Sequence, residues 1–184
     1  WFLDHQLPDG GWNCEWVEGS TRSSFHSTLN VMKGLLEYEI ATGGDAALRA
    51  ARHAGAEYLL ERRLLFGLRS GELVAPWVTR FAYPSRSVDS ALIVANPLVG
   101  AAASDGAALP DGAALPDGAA LDPRAAEAIE VVRSARQADG AWLQERRHPG
   151  RVWFEVDVAP GEPSPWLTYY GMRVLQAWDG ATRP

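Results

Sequence analysis

Apolar side chains recur every three to four residues in several stretches of the chain, which is the spacing of one face of an α-helix. Residues that suit helix caps flank these stretches, such as Ser23 or Ser24, Asp45 and Ser164 before them and Gly43 after one. The pattern predicts an all-α chain, with helices from Phe25 to about Ala41, Ala46 to Leu65, Val88 to Val99, Pro123 to Arg136 and Pro165 to Trp178.

Long irregular connections separate the predicted helices. Leu68–Ser87 is rich in aromatic residues, and Leu143–Pro163 contains the alternating run Val152–Val158, which predicts a short extended piece. Residues 101–122 have low complexity, because Asp-Gly-Ala-Ala-Leu occurs three times at a six-residue period. Frequent Gly and Pro disfavour a helix there, so we expect a mobile surface loop without a function of its own.

The segment Trp1–Trp12, WFLDHQLPDGGW, joins an aromatic and aliphatic run to a turn and a tryptophan. The run predicts the end of a helix, and the Pro-Asp-Gly-Gly that follows predicts a turn. A helix end leaves about four carbonyls without a partner. The Gln6 amide and the Trp12 indole N–H can bind such groups while the ring packs over the junction. We therefore interpret Gln6, Asp9 and Trp12 as structural residues.

Weaker copies of this segment recur along the chain. Arg136–Trp142, RQADGAW, keeps Asp-Gly-x-Trp, whereas Tyr58–Gly67 keeps the apolar run and the glycine without the tryptophan. The helix starts also repeat, because Ser24-x-x-x-Thr28-Leu29 aligns with Ser164-x-x-x-Thr168-Tyr169 and, more loosely, with Ser87-x-x-x-Ala91-Leu92. Repetition with two helices per unit predicts stacked helical hairpins.

The motif Gln-x-x-x-Gly-x-Trp behind an apolar run resembles the QW motif of squalene cyclases and their relatives, the terpene-cyclase and prenyltransferase superfamily. The resemblance covers most of the chain outside residues 101–121. It implies a partial α/α toroid of stacked helical hairpins with long irregular loops, as a single domain over residues 1–184. Three inner helices make about half of such a toroid. We therefore expect the chain to be part of a longer polypeptide, or to pair with another subunit.

The same resemblance implies an enzyme that binds a hydrophobic, isoprenoid-type small molecule in a central cavity and cyclises or transfers it. Faces of aromatic rings would stabilise cationic intermediates by about 1–2 kcal/mol each when desolvated. The aromatic residues expected to face the cavity are Phe25, Trp77, Phe81, Tyr83, Trp166, Tyr169 and Tyr170. Ordinary core packing is the alternative interpretation of these residues.

His26 and Asp89 are the predicted catalytic pair. They and Trp166 occupy the same position in the three aligned repeats, and in a toroid this position points to the mouth of the cavity. The pair could act as base and orienter, or as metal ligands. The alternative is that these are half-exposed residues at helix N-termini. Squalene-type cyclases start their reaction with an Asp-x-Asp-Asp acid, which this sequence lacks, so proton-initiated cyclisation by this chain is in doubt.

A zinc site is the metal hypothesis that the sequence raises. Residues Ser24–Leu35 are similar to the prenyltransferase β-subunit helix that carries a zinc-ligand histidine, and His26 falls on it. Cys14 would be a second ligand, and Asp9, Glu15 or Asp89 would supply the third that a catalytic zinc site needs. That family requires Asp-x-Cys, but Trp12 stands in place of the Asp. We therefore predict no cofactor, with zinc or magnesium as the alternative and a buried apolar Cys14 as the simpler interpretation.

Composition limits the classes of partner. The net charge of −6, without a basic run, argues against binding to nucleic acid or to an anionic membrane. Cys14 is the single cysteine, which excludes an internal disulfide and fits a reducing, cytoplasmic location. No stretch reaches the roughly 18–20 apolar residues of a transmembrane helix, and no signal peptide is visible.

Two other functions remain open from the sequence. The chain could be a binding or scaffold protein that keeps the toroid without the chemistry. It could also be a carbohydrate-active α/α toroid, with aromatic loops as sugar platforms and Glu155 and Asp157 as the catalytic carboxylates. A cavity lined by aromatic and aliphatic side chains would favour the isoprenoid hypothesis, a polar groove the carbohydrate one, and a filled centre the scaffold.

Overall fold

The computed structural model describes residues 1–84, Ala95, 122–147 and 150–181. This part of the chain is mostly helical, as predicted, with α1 (Phe25–Thr42), α2 (Ala46–Leu60), α3 (Ala126–Ser134) and α4 (Pro165–Ala181). Short 3₁₀ helices cover Cys14–Glu18, Pro76–Thr79 and Pro123–Ala125. Two short strands, β1 (Trp142–Leu143) and β2 (Pro163–Ser164), pair antiparallel with Trp142 opposite Ser164.

Capping side chains fix three helix starts where the sequence places them. Ser24, Asp45 and Ser164 each accept a hydrogen bond from the backbone N–H three residues further along, at 3.2, 2.8 and 3.0 Å. These bonds satisfy amides that have no partner inside their own helix. The predicted starts of α1, α2 and α4 are therefore confirmed.

Helix α2 ends at Leu60, so the predicted end at Leu65 is wrong. Arg63 and Leu64 adopt left-handed backbone with φ of 46° and 63°, and the Leu64 N–H donates to the Leu59 carbonyl at 3.0 Å. The apolar run continues past the helix because Leu64 and Leu65 are buried core residues in the turn itself. Apolar periodicity could not distinguish a core-facing turn from one more helical turn.

The other predicted boundaries differ by a few residues. The stretch from Pro123 divides into a 3₁₀ turn and α3, which ends at Ser134 rather than Arg136. Helix α4 continues through Gly180 to Ala181, since one glycine near a helix end costs only about 1 kcal/mol.

Two predicted segments adopt irregular structure. Residues 2–5 form a turn rather than the end of a helix. Residues 152–158 contain bends and no strand, because residues 152–156 are all exposed and the alternation therefore has no buried face. The predicted helix Val88–Val99 lies outside the described residues except for Ala95, which is helical, and the low-complexity segment lies outside them except for Asp122.

Helices α1 and α2 form a hairpin. Gly43 and Gly44, with φ of 83° and 55°, make the turn between them. A buried ion pair joins the helices, because the Arg52 Nε lies 2.8 Å from the Glu39 carboxylate and both side chains are almost inaccessible to solvent. The predicted hairpin is thus present.

Helices α3 and α4 form a second packed pair, tied by Arg133 to Asp179 at 2.6 Å. An ion pair also connects the turn before α3 with α2. Arg124 binds the Glu57 carboxylate through both terminal nitrogens, at 2.6 and 2.9 Å. All four helices and the irregular segment after α2 contribute to one hydrophobic core. No helix in the described part of the chain is long and apolar enough to cross a membrane.

Candidate functional site

The Trp12 junction ties the first turn of the chain to α1. The Trp12 indole N–H donates to the Phe2 carbonyl at 2.8 Å, and the Trp12 backbone N–H donates to Thr28 Oγ1 at 3.0 Å. Gln6 Nε2 donates to the carbonyls of Gly10 and Ala51 at 2.7 and 2.8 Å. The Gln and Trp side chains therefore serve the structural role that the sequence predicts for them.

The second junction, around Trp142, repeats this geometry. Its indole N–H donates to the Val132 carbonyl at 2.8 Å, and its backbone N–H donates to Thr168 Oγ1 at 3.1 Å. Arg136 stands in place of Gln6, because its Nε donates to the Gly140 carbonyl at 3.2 Å. Replacement of Gln by Arg thus preserves the bond within the turn.

The two junctions place equivalent residues of α1 and α4 in equivalent surroundings. His26 and Trp166 both follow the capping serine by two residues, and each ring contacts a ring from the irregular segment after α2. The His26 and Trp77 centroids are 4.5 Å apart, and those of Trp166 and Tyr83 are 5.1 Å apart. Tyr83 is six positions after Trp77, so the chain spans at most about 22 Å between the two contacts.

Four of the predicted ligand-binding residues are linked by a series of ring contacts, and we call Tyr83, Trp166, Tyr169 and Tyr170 the aromatic cluster. Tyr83 and Trp166 are stacked with an interplanar angle of 14°, and Tyr83 also faces Tyr170 at 6.3 Å. Tyr169 meets Tyr170 edge to face at 5.2 Å. Trp166 and Tyr169 remain 44% exposed, so part of the cluster lies at the surface.

Phe25 and Phe81 occupy a different environment. Both belong to the hydrophobic core and are only 4% and 2% exposed. Their surroundings are those of packing residues, which is the alternative that the sequence leaves open for them. Trp77 is half-buried and contacts the core from its edge.

Gln144 is a buried residue that no sequence pattern marks, although its side chain holds Tyr83 in place. Its Oε1 accepts the Tyr83 N–H at 2.8 Å and its Nε2 donates to the Tyr83 carbonyl at 2.5 Å. Gln144 is 1% exposed, and a polar residue directly after Trp142-Leu143 gives no sequence signal of a partner 61 positions away.

The predicted catalytic and metal residues are only partly placed. His26 lies half-buried on the first turn of α1, and Asp89 lies outside the described residues. Cys14 is exposed, so the prediction of a buried apolar cysteine is wrong, and its backbone N–H donates to Ser27 Oγ at 3.0 Å. Among the described residues, no group of three His, Cys, Asp or Glu side chains could hold a metal ion.

The two carboxylates of the carbohydrate hypothesis both have protein partners. Glu155 pairs with Arg147 at 2.8 Å. Asp157 accepts a hydrogen bond of 2.6 Å from the Ser164 hydroxyl, at the N-cap of α4. Both contacts hold the loop before α4.

Most of the pKa shifts resolved among the described residues lie around α2, and the remaining one is at Arg133, whose pKa is raised by its hydrogen bond to Asp179. Hydrogen bonds from Arg124 lower the pKa of both Glu57 and Asp122, and hydrogen bonds to these carboxylates raise the pKa of Arg124 itself. Burial raises the pKa of Tyr58, whose hydroxyl donates to the Ser23 carbonyl at 2.8 Å. These groups stabilise contacts between elements and belong to neither aromatic contact described above.

Comparisons with protein-family models, with curated proteins and with solved structures found no match for this chain. A functional assignment therefore rests on its residues and their geometry.

Proposed function

We propose that this chain forms part of an α/α toroid of the terpene-cyclase and prenyltransferase type and binds a hydrophobic, isoprenoid-type ligand against the aromatic cluster. In this arrangement α1 and α4 are inner helices, and α2 and α3 are outer ones. The two junctions support this arrangement of helices. The backbone N–H of Trp12 and that of Trp142 each donate to the threonine of a helix that begins with the pattern Ser-x-x-x-Thr.

The observation that carries the proposal is the aromatic cluster itself. Aromatic side chains of a core are normally covered, yet Trp166 and Tyr169 keep 44% of their surface exposed while packing on two further rings. An apolar chain laid on these faces would bury surface at about 25 cal/mol per Å². Ring faces would also attract a developing carbocation.

Catalysis is the second part of the proposal, and it centres on His26. Its ring lies on the first turn of an inner helix and contacts Trp77, so it stands beside an aromatic face. An imidazole can exchange a proton near neutral pH, as loss of a proton from a cationic intermediate requires. Asp89 as its partner remains a prediction. This sequence lacks the Asp-x-Asp-Asp acid. The proposal is therefore a cyclisation or transfer in which this chain does not donate the initiating proton.

Calorimetric titration with farnesol and geranylgeraniol tests the ligand-binding part. Trp166→Ala should weaken binding at least about tenfold, the equivalent of about 1.4 kcal/mol. Trp153→Ala is the matched control, because Trp153 is 91% exposed and lies in the loop before α4, outside the aromatic cluster. Equal losses in the two variants would contradict the proposal. Binding of an oligosaccharide instead would favour the carbohydrate hypothesis, and binding of neither class the scaffold.

A further inference from the structure

Gln144 is a buried polar residue whose side chain binds both backbone groups of one aromatic residue. Its amide accepts from the Tyr83 N–H and donates to the Tyr83 carbonyl, at 2.8 and 2.5 Å. This is the pair of hydrogen bonds that a neighbouring strand would make, supplied here by a side chain. The Tyr83 backbone is thereby fixed in both position and orientation.

The backbone of Gln144 is bound on its other side to the chain that leads into α4. Its N–H donates to the Glu162 carbonyl at 3.0 Å, and its carbonyl accepts from the Gly161 N–H at 2.7 Å. The β1–β2 pair then continues to Ser164, the cap of α4, and Trp166 follows two residues later. Both rings of the Tyr83–Trp166 stack are therefore tied to the same residue.

We propose that Gln144 is a positioning residue that sets the stacking of Tyr83 on Trp166, and through it the ligand affinity of the aromatic cluster. The consequence for affinity rests on the function proposed above, whereas the consequence for the stack does not. Without the amide, the Tyr83 N–H and carbonyl would lose their partners in a partly buried place, where water restores them poorly. The Glu145 N–H would still donate to the Phe81 carbonyl at 2.9 Å, so the segment would stay docked while Tyr83 lost its orientation.

Fluorine NMR of the chain labelled with 5-fluorotryptophan tests the stack directly. The Trp166 resonance is assigned from its loss in Trp166→Phe, and Tyr83→Ala gives its position without the stack. Gln144→Leu should move this resonance toward the Tyr83→Ala position. Gln137→Leu is the control, because Gln137 lies in the turn before Trp142 and its amide donates to the nearby Ala135 carbonyl, at 2.9 Å. A Trp166 resonance that stays at its wild-type position in folded Gln144→Leu would overturn the proposal.

Affinity supplies a readout that loss of stability alone would not give. If Gln144 acts through Tyr83, the double variant of Gln144→Leu and Tyr83→Ala should bind farnesol no more weakly than Tyr83→Ala alone. If the two substitutions lower the farnesol affinity additively, Gln144 does not act through Tyr83. Should Gln144→Leu fail to fold, Gln144→Met keeps an unbranched side chain of similar volume and removes both hydrogen bonds to Tyr83, and the same shift of the Trp166 resonance is expected. If wild-type protein binds no isoprenoid, the proposed function fails, and the resonance alone decides the role of Gln144.

Discussion

The indole N–H of Trp142 donates to the backbone carbonyl of Val132 at 2.8 Å, and so joins the end of α3 to β1. The same bond, at the same distance and ten residues back along the chain, links Trp12 to Phe2. Both indoles are almost fully buried. A single side chain thus binds a backbone carbonyl and fills the space between two elements at each junction.

Loss of Trp12 should be costly to stability. Trp12→Ala is expected to lower the free energy of unfolding by about 3–5 kcal/mol, because it removes a large buried ring and its hydrogen bond. Urea denaturation monitored by far-ultraviolet circular dichroism measures this. Trp16→Ala, on an exposed residue, should change stability by no more than about 0.5 kcal/mol. If Trp12→Ala is as stable as wild type but no longer binds the ligand, the structural interpretation of Trp12 is wrong and the residue has a role in binding.

Two glycine substitutions should have opposite signs. A Cβ at Gly171 of α4 would lie 2.7 Å from Trp142 Cε2, whereas a Cβ at Gly34 of α1 would meet nothing within 4 Å. Gly34→Ala should therefore stabilise the protein by about 0.5–1 kcal/mol through helix propensity. Gly171→Ala gains the same propensity but should be destabilising overall, since overpacking costs roughly 1–3 kcal/mol. Thermal unfolding of both variants decides this, and equal shifts would mean that the indole moves aside freely.

The buried ion pair between the first two helices should be sensitive to removal of one partner. Glu39→Ala leaves the Arg52 guanidinium, 1% exposed, without the carboxylate at 2.8 Å, and the expected cost is about 3–5 kcal/mol. Glu37→Ala on the exposed side of the same helix is the control. Chemical denaturation of both variants compares them, and a loss below about 1 kcal/mol for Glu39→Ala would show that water or another carboxylate replaces the pair.

The contact of Arg124 with Glu57 and Asp122 should appear in the pH dependence of stability. Hydrogen bonds from Arg124 lower the pKa of both carboxyls in the folded state. Their stabilising contribution is therefore present above the ordinary carboxyl pKa of about 4 and is lost as the pH falls through the lowered values.

Arg124→Gln should remove this acid-side slope and make the protein less stable at pH 7, by no more than about 1 kcal/mol because the groups are largely exposed. Melting temperatures between pH 2 and 7, measured at low and high salt, test it. Arg69→Gln, on an exposed residue of the segment after α2, should leave the slope unchanged. If the melting temperature falls with decreasing pH in the same way in wild type and Arg124→Gln, the contacts of Arg124 with Glu57 and Asp122 do not cause the pH dependence.

His26→Ala tests the catalytic part of the proposed function. We expect turnover or ligand binding to be lost while stability changes by no more than about 1 kcal/mol, since the ring is outside the core. His53→Ala, on an exposed position of α2, should retain both properties. If His26→Ala keeps full activity, His26 is not the base. The catalytic part of the proposal then fails, and the ligand-binding role of the aromatic cluster is unaffected.

The sequence by itself determined the features that depend on nearby residues. The helix starts at Ser24, Asp45 and Ser164 follow from capping bonds that reach only three residues ahead. The repeat of the Trp12 junction at Trp142 could also be predicted, because the turn residues and the tryptophan lie within one short segment. Local chemistry and periodicity carry this information.

Only the tertiary structure decided which aromatic residues are buried and which are available. Phe25 and Trp166 both lie on the first turn of a helix, yet one is core and the other is nearly half exposed, because burial depends on what the rest of the chain packs against each face. The partnership of Gln144 with Tyr83 spans 61 residues, and that of Arg52 with Glu39 depends on the angle of a hairpin. No periodicity encodes such pairs, since they form only when distant segments have already been brought together by the common core.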